Sequence, residues 1–330
     1  MSLEIIILTK NRLPLLKEAL ESVLKQALSP FRITIVDNAS SDGTATYVRE
    51  LIKKHKNMFL LSQPEPVSFA QNVKSAIDCV AADYFMLMHD DDLLSPYFVQ
   101  SVINAIKAAP DASLISVGYQ VFTDKPVGGE CCPHNISVQL YKSSVDFAVS
   151  DMIRFVLSQV TSMCFPAIVY RRDCVSKDGP DMDSYGKICD KPFVYASMGK
   201  GPVIRIVEPL YCYRVHTMQD TANSSNGPYP NEILNFLNVH KRLFSSNHDS
   251  RKVYYALSVM WMKSLFFWGE NPENEWSKWF REAKRRGLVH GLFSKPWRIL
   301  LWKFVNKCVA HRYLKKHRPD TLSISIGGDK

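Results

Sequence analysis

Apolar and polar positions follow two alternating periods along the first hundred residues. Four apolar runs of four to six residues lie at 5–8, 31–36, 58–61 and 84–88. Between them, apolar residues recur at helical spacing over 13–26, 44–55 and 69–81. Strands that alternate with helices are typical of parallel βαβ units. We therefore predict an α/β fold with a mostly parallel, Rossmann-like central sheet flanked by helices.

The pattern changes beyond residue 112. Apolar runs alternate with polar loops up to about residue 216, and residues 217–230 are rich in turn-forming residues. Helical periodicity then dominates to about residue 317. We predict a globular domain over 1–220, with halves 1–110 and 111–220, followed by a helical C-terminal region over 221–330.

Polar side chains that carry chemistry follow three of the predicted strands. The turns read LTKNR after the first strand, VDNASSDGT at the second and HDDD at the fourth. Open α/β sheets bind ligands at the carboxyl ends of their strands, so these turns predict one shared crevice. None contains the glycine pattern of a dinucleotide site or the lysine loop of a P-loop. Taken alone, the three aspartates also fit a solvated turn or a helix N-cap.

The composition is that of an ordinary globular protein. The chain has 330 residues, 46% hydrophobic and 22% charged, enough for two domains or for one large domain with an appendage. The eight cysteines lack paired C-x-x-C spacing, which predicts reduced thiols and disfavours a zinc site. The N-terminal apolar run is short and has no basic lead, so we expect a buried first strand rather than a signal peptide.

Positive charge is concentrated near the C-terminus. The formal net charge is +9, and residues 281–318 hold twelve Lys or Arg against the single acid Glu282. Trp297, Trp302 and Phe304 are interleaved with these bases, which is typical of an interfacial amphipathic helix. We predict that 281–318 contacts an anionic membrane surface. Packing of the same apolar residues onto the globular domain is the alternative.

The order of the three turns resembles the family 2 glycosyltransferases with the GT-A fold. That family shows Thr-Tyr-Asn-Arg, then Val-Asp-Asp/Asn-x-Ser-x-Asp-Gly-Thr, then Asp-x-Asp-Asp. The matching elements here are Thr9–Arg12, Val36–Thr44 and His89–Asp92, and the resemblance covers roughly residues 3–220. Lys10 replaces the usual Tyr, and His89 replaces the first Asp of the third element.

The resemblance implies a nucleotide-diphospho-sugar donor and a divalent metal, Mg²⁺ or Mn²⁺, on its phosphates. It assigns the metal to Asp91, the nucleotide base to Asp37 and a bracing role to Asp92. Contacts with the donor are implied for seven further residues, which are Thr9, Asn11, Arg12, Gln71, Asn72, Asp90 and His216. Magnesium and manganese usually take only one or two carboxylates from a protein, which agrees with this assignment.

An inverting transfer needs a general base for the acceptor hydroxyl. In the family this base is an acid in front of an amphipathic helix, and Asp190 precedes such a pattern here. A plain helix N-cap is the alternative for Asp190, while Asp181 and Asp183 are the runner-up bases. By the same resemblance, Arg214 is expected to neutralise phosphate charge, and residues 217–230 to act as a lid.

The resemblance as a whole implies an inverting, metal-dependent glycosyltransferase that uses a UDP- or dTDP-sugar. Its expected acceptor is a lipid-linked glycan in surface polysaccharide assembly, such as O-antigen, at the inner face of the cytoplasmic membrane. A sugar-phosphate nucleotidyltransferase is the first alternative, although such enzymes normally carry a Gly-rich phosphate loop. The second, a non-enzymatic nucleic-acid-binding protein, leaves the three turns unexplained, so we expect no nucleic-acid partner.

Overall fold

A computed structural model of the chain describes seven segments and three single residues. The segments are 1–28, 31–123, 135–148, 150–151, 163–199, 201–216 and 318–325, and the single residues are Asn235, Arg285 and Lys315. The predicted lid at 217–230 lies outside them. Of the basic segment 281–318, only Arg285, Lys315 and Arg318 are described. The predictions for both segments therefore remain predictions.

The first half of the sheet follows the predicted alternation of strands and helices. Its elements are β1 (Leu3–Thr9), α1 (Leu13–Leu24), β2 (Arg32–Asp37), α2 (Thr44–Ile52), β3 (Met58–Ser62), α3 (Phe69–Asp78) and β4 (Tyr84–His89). The three pairings among these strands are all parallel. The predicted parallel core is therefore confirmed, with each helix ending two or three residues earlier than its apolar pattern suggested.

The second half completes a mixed sheet. Its elements are β5 (Leu93–Leu94), α4 (Phe98–Ala108), β6 (Leu114–Phe122), β7 (Asn135–Tyr141), β8 (Ile168–Arg171), α5 (Met182–Tyr185), α6 (Asp190–Ser197), β9 (Val203–Arg214) and β10 (Asp320–Ser325). The described strands form one sheet in the order β10-β7-β9-β6-β8-β4-β1-β2-β3, and β5 pairs with β9. Here β6 and β9 are parallel, while the other pairings are antiparallel.

Burial explains why the parallel strands read as continuous apolar runs. A parallel strand covered on both faces by helices has no solvent-facing side, so the alternation of a half-exposed strand is lost. All seven residues of β1 are buried. Helix α1 covers one face with Leu16, Ala19, Leu20 and Val23, which recur every three or four residues.

The strand register brings the three polar turns to one end of the sheet. Thr9 lies opposite Asp37 across the β1–β2 pair, and Leu8 lies opposite His89 across the β1–β4 pair. Strand β9 reaches the same end, because Cys212 pairs with Leu93 directly after the aspartate triplet. The chain therefore delivers a fourth polar segment, residues 211–216, to the predicted crevice.

Strand β10 is an element that sequence patterning missed. It pairs antiparallel with β7, so it runs in the same direction as β9, and Lys142 forms an ion pair with Asp320 where it begins. The chain thus leaves the sheet at the crevice end, after Arg214, and rejoins it at the opposite end. In the part of the chain that the structure describes, no helix is long and apolar enough to cross a membrane.

Gly118 generates a test of this sheet. The pairing of β6 with β9 shifts register at Gly118, and a Cβ atom there would lie 2.4 Å from the carbonyl oxygen of Val207 and 2.5 Å from that of Glu208. We expect Gly118→Ala to lower the free energy of unfolding by about 1–3 kcal/mol, because backbone cannot yield cheaply to an added methyl group. Urea unfolding measures the change.

Gly199→Ala is the matched control for that substitution. The nearest atom to its added Cβ is the Ala196 carbonyl oxygen at 3.6 Å, an ordinary contact. The control should therefore change the free energy of unfolding by no more than about 0.5 kcal/mol. Equal effects of the two substitutions would contradict the close approach of β6 and β9.

Candidate active site

A cleft of about 510 Å³ opens at the carboxyl ends of the parallel strands. It is lined by Leu8, Thr9, Lys10, Asn11, Arg12, Asn38, Val67, Phe69, Asn72, His89, Asp90, Asp91 and Tyr213. Six of the predicted site residues are in this lining: Thr9, Asn11, Arg12, Asn72, Asp90 and Asp91. Among the described residues, four others lie outside the lining: Asp37, Gln71, Asp190 and His216.

Asp90 is held by the first strand and the helix that follows it. Its Oδ2 atom accepts a hydrogen bond from the Thr9 hydroxyl at 2.8 Å, and its Oδ1 atom lies 3.4 Å from the Arg12 guanidinium. Burial raises the pKa of Asp90, and the Thr9 hydrogen bond and the Arg12 charge partly offset that effect. The turn after β1 therefore stabilises the charge at the end of β4.

Asp91 lies between two groups that carry or accept positive charge. Its Oδ2 atom is 3.3 Å from Arg12 Nη1 and 3.0 Å from His216 Nε2. Arg12 comes from the start of α1, and His216 follows β9, so two distant parts of the chain converge on one carboxylate. The predicted proximity of His216 to the acidic turn therefore agrees with the geometry.

Asp92 is directed away from the cleft into the protein. Its Oδ2 atom accepts from the Tyr211 hydroxyl at 2.6 Å, and its Oδ1 atom accepts from the Arg214 backbone amide at 2.8 Å. The residue is fully buried, and burial raises its pKa to about 6. Asp92 therefore ties β9 to the end of β4, which agrees with the bracing role expected for it.

Arg214 departs from its expected role at phosphate. Its guanidinium donates to the Asp91 carbonyl oxygen at 2.7 Å and to Glu18 Oε2 at 2.6 Å, and the residue is buried. These contacts fix the backbone of the aspartate triplet from behind, and the side chain also lies over the Phe122 ring. The sequence suggested that the Arg214 guanidinium binds a phosphate, because it does not reveal that the Asp91 carbonyl oxygen and Glu18 already accept hydrogen bonds from that group.

The residues at the triplet fit a divalent metal. His89, Asp91 and Asp92 offer ligand atoms that lie within 4.8 Å of one another. Both oxygens of Asp92 are already hydrogen-bonded, whereas Asp91 lines the open cleft. The two cleft-lining carboxylates, Asp90 and Asp91, suit Mg²⁺ or Mn²⁺, which take only one or two protein carboxylates and complete their shell with phosphate and water.

The turns after β1 and β2 hold each other in place. Asn11 has a φ of +52°, a left-handed conformation that asparagine tolerates better than most residues. Its backbone amide donates to Ser40 Oγ, and its side-chain Oδ1 atom accepts from the Ser41 backbone amide at 2.7 Å. Asp42 accepts from the Leu13 and Thr44 amides, which agrees with its expected structural role. Asn11 thus shapes the cleft as well as lining it.

Asp37 and Gln71 are both committed to local structure. Asp37 is buried, and its Oδ1 atom accepts from the Ser40 amide at 3.1 Å. The Gln71 side chain completes a capping box with Ser68 at the start of α3. Because the capping box already uses the Gln71 side chain, this residue has a structural role that does not require the predicted contact with the nucleotide-sugar donor.

Asn38, next to Asp37, lines the cleft and was missed by sequence reasoning. Its side chain donates to the Val67 carbonyl oxygen and accepts from the Val67 amide, at 2.9 and 2.8 Å. These two bonds bring the segment before α3 against the end of β2. Phe69 and Tyr213 complete the lining, and no motif in the sequence identifies either of them.

Asp190 begins α6, beside the cleft. The helix packs through Phe193 against Phe165, with ring centroids 6.1 Å apart, and Phe165 in turn lies 6.1 Å from the His89 ring. Burial raises the pKa of Asp190, while the charges of Lys191 and His89 act in the opposite direction. The carboxyl group is therefore within electrostatic reach of His89, which lines the cleft.

The runner-up acids have other surroundings. Asp181 caps α5, where its Oδ1 atom accepts from the Ser184 amide at 2.9 Å, and the hydrogen bonds it accepts lower its pKa. Asp183 is exposed in the same helix. A lowered pKa makes a carboxylate a weaker base, so this geometry favours Asp190 over Asp181.

Comparison with known protein families bears directly on this arrangement. Residues 4–140 match the family model "Glycosyl transferase family 2". That span covers β1 to β7 and all three polar turns. An uncharacterized glycosyltransferase of Nostoc sp. is 26% identical over 286 residues, which cover 79% of this chain and 84% of the relative. Over residues 4–140, the chain is thus similar to family 2 glycosyltransferases.

Two further similarities extend this result to the fold. The uncharacterized glycosyltransferase YwdF of Bacillus subtilis is 27% identical to the protein over 131 residues, which cover 38% of this chain and 48% of the relative. The crystal structure of S. aureus TarS with UDP-GlcNAc superposes with a TM-score of 0.62 at 12% identity, covering 96% of this chain and 93% of that chain. The predicted GT-A fold is thereby confirmed.

Proposed function

We propose that the protein transfers a sugar, with inversion, from a UDP- or dTDP-sugar to a lipid-linked glycan during surface polysaccharide assembly. The observation that carries the proposal is the convergence of Asp90 and Asp91 with Thr9, Arg12 and His216 at the end of a parallel sheet. Anionic and cationic groups that meet at an open cleft suit a ligand with phosphate charges and a bound cation.

The donor site extends along the cleft from the end of β2 toward α6, the helix that begins at the proposed general base Asp190. We assign the nucleotide to the turns after β1 and β2, where Thr9, Asn11, Arg12 and Asp37 lie, and Asn72 to the far wall. TarS, which has the same fold, was crystallised with UDP-GlcNAc, which supports a uridine nucleotide for the donor. Gln71 is the weakest assignment because the capping box already uses its side chain.

Asp91, with Asp90 or His89 beside it, would hold the divalent metal. When bound, Mg²⁺ or Mn²⁺ stabilises the negative charge that develops on the departing nucleoside diphosphate. Thr9 and Arg12 orient Asp90, and Arg214 fixes the backbone carbonyl of Asp91. The residues of this chain thus position the carboxylates before a ligand arrives.

Substitution of Asp91 tests this assignment. Asp91→Asn keeps the size of the side chain but removes the charge that faces the cleft. We expect the wild-type protein to gain thermal stability with UDP-sugars only when Mg²⁺ or Mn²⁺ is present, and Asp91→Asn to lose that gain together with transfer activity. A variant that kept its metal-dependent gain would refute the role of Asp91. Release of pyrophosphate from UTP and a sugar phosphate would instead indicate a nucleotidyltransferase.

Asp190 is the base in this proposal. The acceptor hydroxyl oxygen attacks the anomeric carbon while the bond from that carbon to the diphosphate oxygen breaks, and the leaving diphosphate keeps the electron pair. The hydroxyl proton passes to the Asp190 carboxylate. Burial, which raises the pKa of this carboxyl group, increases its affinity for that proton.

Substitution of Asp190 separates catalysis from binding. Asp190→Asn should reduce kcat by roughly a hundredfold or more, the scale of a lost general base, while donor KM and metal dependence stay near wild type. Asp183→Asn, which changes an exposed acid in the neighbouring helix, is the matched control and should retain full turnover. A product that keeps the donor's anomeric configuration, shown by NMR, would contradict a single-base mechanism.

The lipid-linked acceptor is proposed from the charge of the C-terminal region. Twelve basic residues between 281 and 318 surround Trp297, Trp302 and Phe304. Such a segment suits the anionic inner face of the cytoplasmic membrane, where a peripheral enzyme meets lipid-linked substrates.

Vesicle binding tests the membrane assignment. Each basic residue near an anionic surface contributes about 1 kcal/mol to binding. Replacement of Lys303, Lys307, Lys315 and Lys316 by Gln should therefore weaken sedimentation with phosphatidylglycerol vesicles and reduce its salt dependence. Transfer to a soluble acceptor analogue should persist. If the wild-type protein does not sediment with these vesicles, the membrane is not its partner.

A further inference from the structure

Arg12 lies against the carboxylates that are assigned to the metal. Its Nη1 atom is 3.4 Å from Asp90 Oδ1 and 3.3 Å from Asp91 Oδ2. The two carboxylate side chains are only 4% and 5% exposed, whereas the Arg12 side chain is 26% exposed. A partly exposed guanidinium thus neutralises two buried like charges from the cleft side.

This position conflicts with a simple role for Arg12 as a donor ligand. A divalent cation on Asp91 would lie close to the guanidinium, and two positive groups on one carboxylate repel each other. In addition, a guanidinium that pairs with two carboxylates has fewer donors left for phosphate. Arg12 therefore cannot keep these contacts while Asp91 binds a metal on the same side.

We propose that Arg12 is an exchangeable counter-ion, which occupies the cation's place in the ligand-free enzyme and moves to the donor diphosphate when metal and donor bind. The proposal rests on the proposed function and adds to it a coupling between metal binding and donor binding. Because the diphosphate draws Arg12 away from Asp91, the donor favours metal binding. By linkage, the metal favours donor binding to the same degree.

The surrounding contacts allow this exchange. Arg12 stands just before α1 and lines the cleft, so its long side chain can turn toward a ligand without movement of the sheet. The carboxylates keep other partners when it leaves, since Asp90 retains the Thr9 hydroxyl and Asp91 retains His216. A guanidinium also matches phosphate geometry with two parallel hydrogen bonds. The site therefore remains assembled after Arg12 departs.

The exchange predicts opposite changes in two affinities. Arg12→Gln removes the competitor for the cation, so the variant should bind Mn²⁺ alone several-fold more tightly than wild type. It also removes a phosphate ligand, so the variant should bind UDP several-fold more weakly, both alone and with Mn²⁺. Isothermal titration of the full chain with Mn²⁺, with UDP and with both gives these constants and their coupling, which should fall in the variant.

Lys10→Gln is the matched control. Lys10 lines the same cleft two residues earlier and loses the same charge, but no ion pair joins it to Asp90 or Asp91 in the described part of the chain. It should leave the affinity for Mn²⁺ alone near wild type. Arg12→Lys keeps the positive charge but lacks the planar guanidinium, so it should give an intermediate Mn²⁺ affinity. It also serves as a second variant if Arg12→Gln does not fold.

These titrations have three outcomes that test the exchange of Arg12. Tighter Mn²⁺ binding by Arg12→Gln, but not by Lys10→Gln, supports the exchange. Equal or weaker Mn²⁺ binding by Arg12→Gln, with UDP still bound by wild type, overturns the exchange and leaves the proposed function intact. If wild type binds neither Mn²⁺ nor UDP, the proposed function is itself wrong, and the exchange is overturned with it.

Discussion

Three adjacent carboxylates at the end of a buried strand are the constraint on which the rest of this site depends. Asp90, Asp91 and Asp92 are almost completely buried, and like charges this close cannot share one environment without cost. The fold separates them by giving each its own partners. The turn after β1 supports Asp90, the cleft and two basic groups receive Asp91, and β9 holds Asp92 inside the protein. The site can present a concentrated negative charge because Asp90 and Asp91 line the cleft, whereas Asp92 takes its donors from inside the protein.

This division of partners explains the topology around the cleft. Parallel strands β1, β2 and β4 alone would bring together Thr9, Asp37 and the triplet, but would leave Asp92 without donors. Strand β9 supplies them, since its pairing with β5 places Tyr211 and Arg214 directly behind the triplet. The two residues that follow this strand then bring His216 to Asp91. One element therefore braces the acidic turn and completes it.

Much of the fold and part of the site could be predicted from the sequence. The βαβ pattern determines the parallel core because its signals are local, and strands that run in parallel place the three turns at one end. The bracing role of Arg214 could not be read in this way, because its partners Asp91 and Glu18 lie far from it in sequence. Asn38 and strand β10 were missed for the same reason, since a hydrogen bond to Val67 or a pairing with β7 leaves no periodic trace.

The bracing of Asp92 also bears on how the two predicted halves of the domain relate. Residues 1–110 contain all three polar turns, but the donors to the Asp92 carboxylate come from Tyr211 and Arg214 in the other half. A buried carboxylate without its donors destabilises the folded state by about 1–3 kcal/mol, and more when it carries its charge. The first half folded alone would therefore expose Asp92 to solvent or leave it uncompensated. Division at residue 110 thus follows the pattern of the sequence, whereas the buried charge of Asp92 joins residues 1–110 and 111–220 in one folding unit.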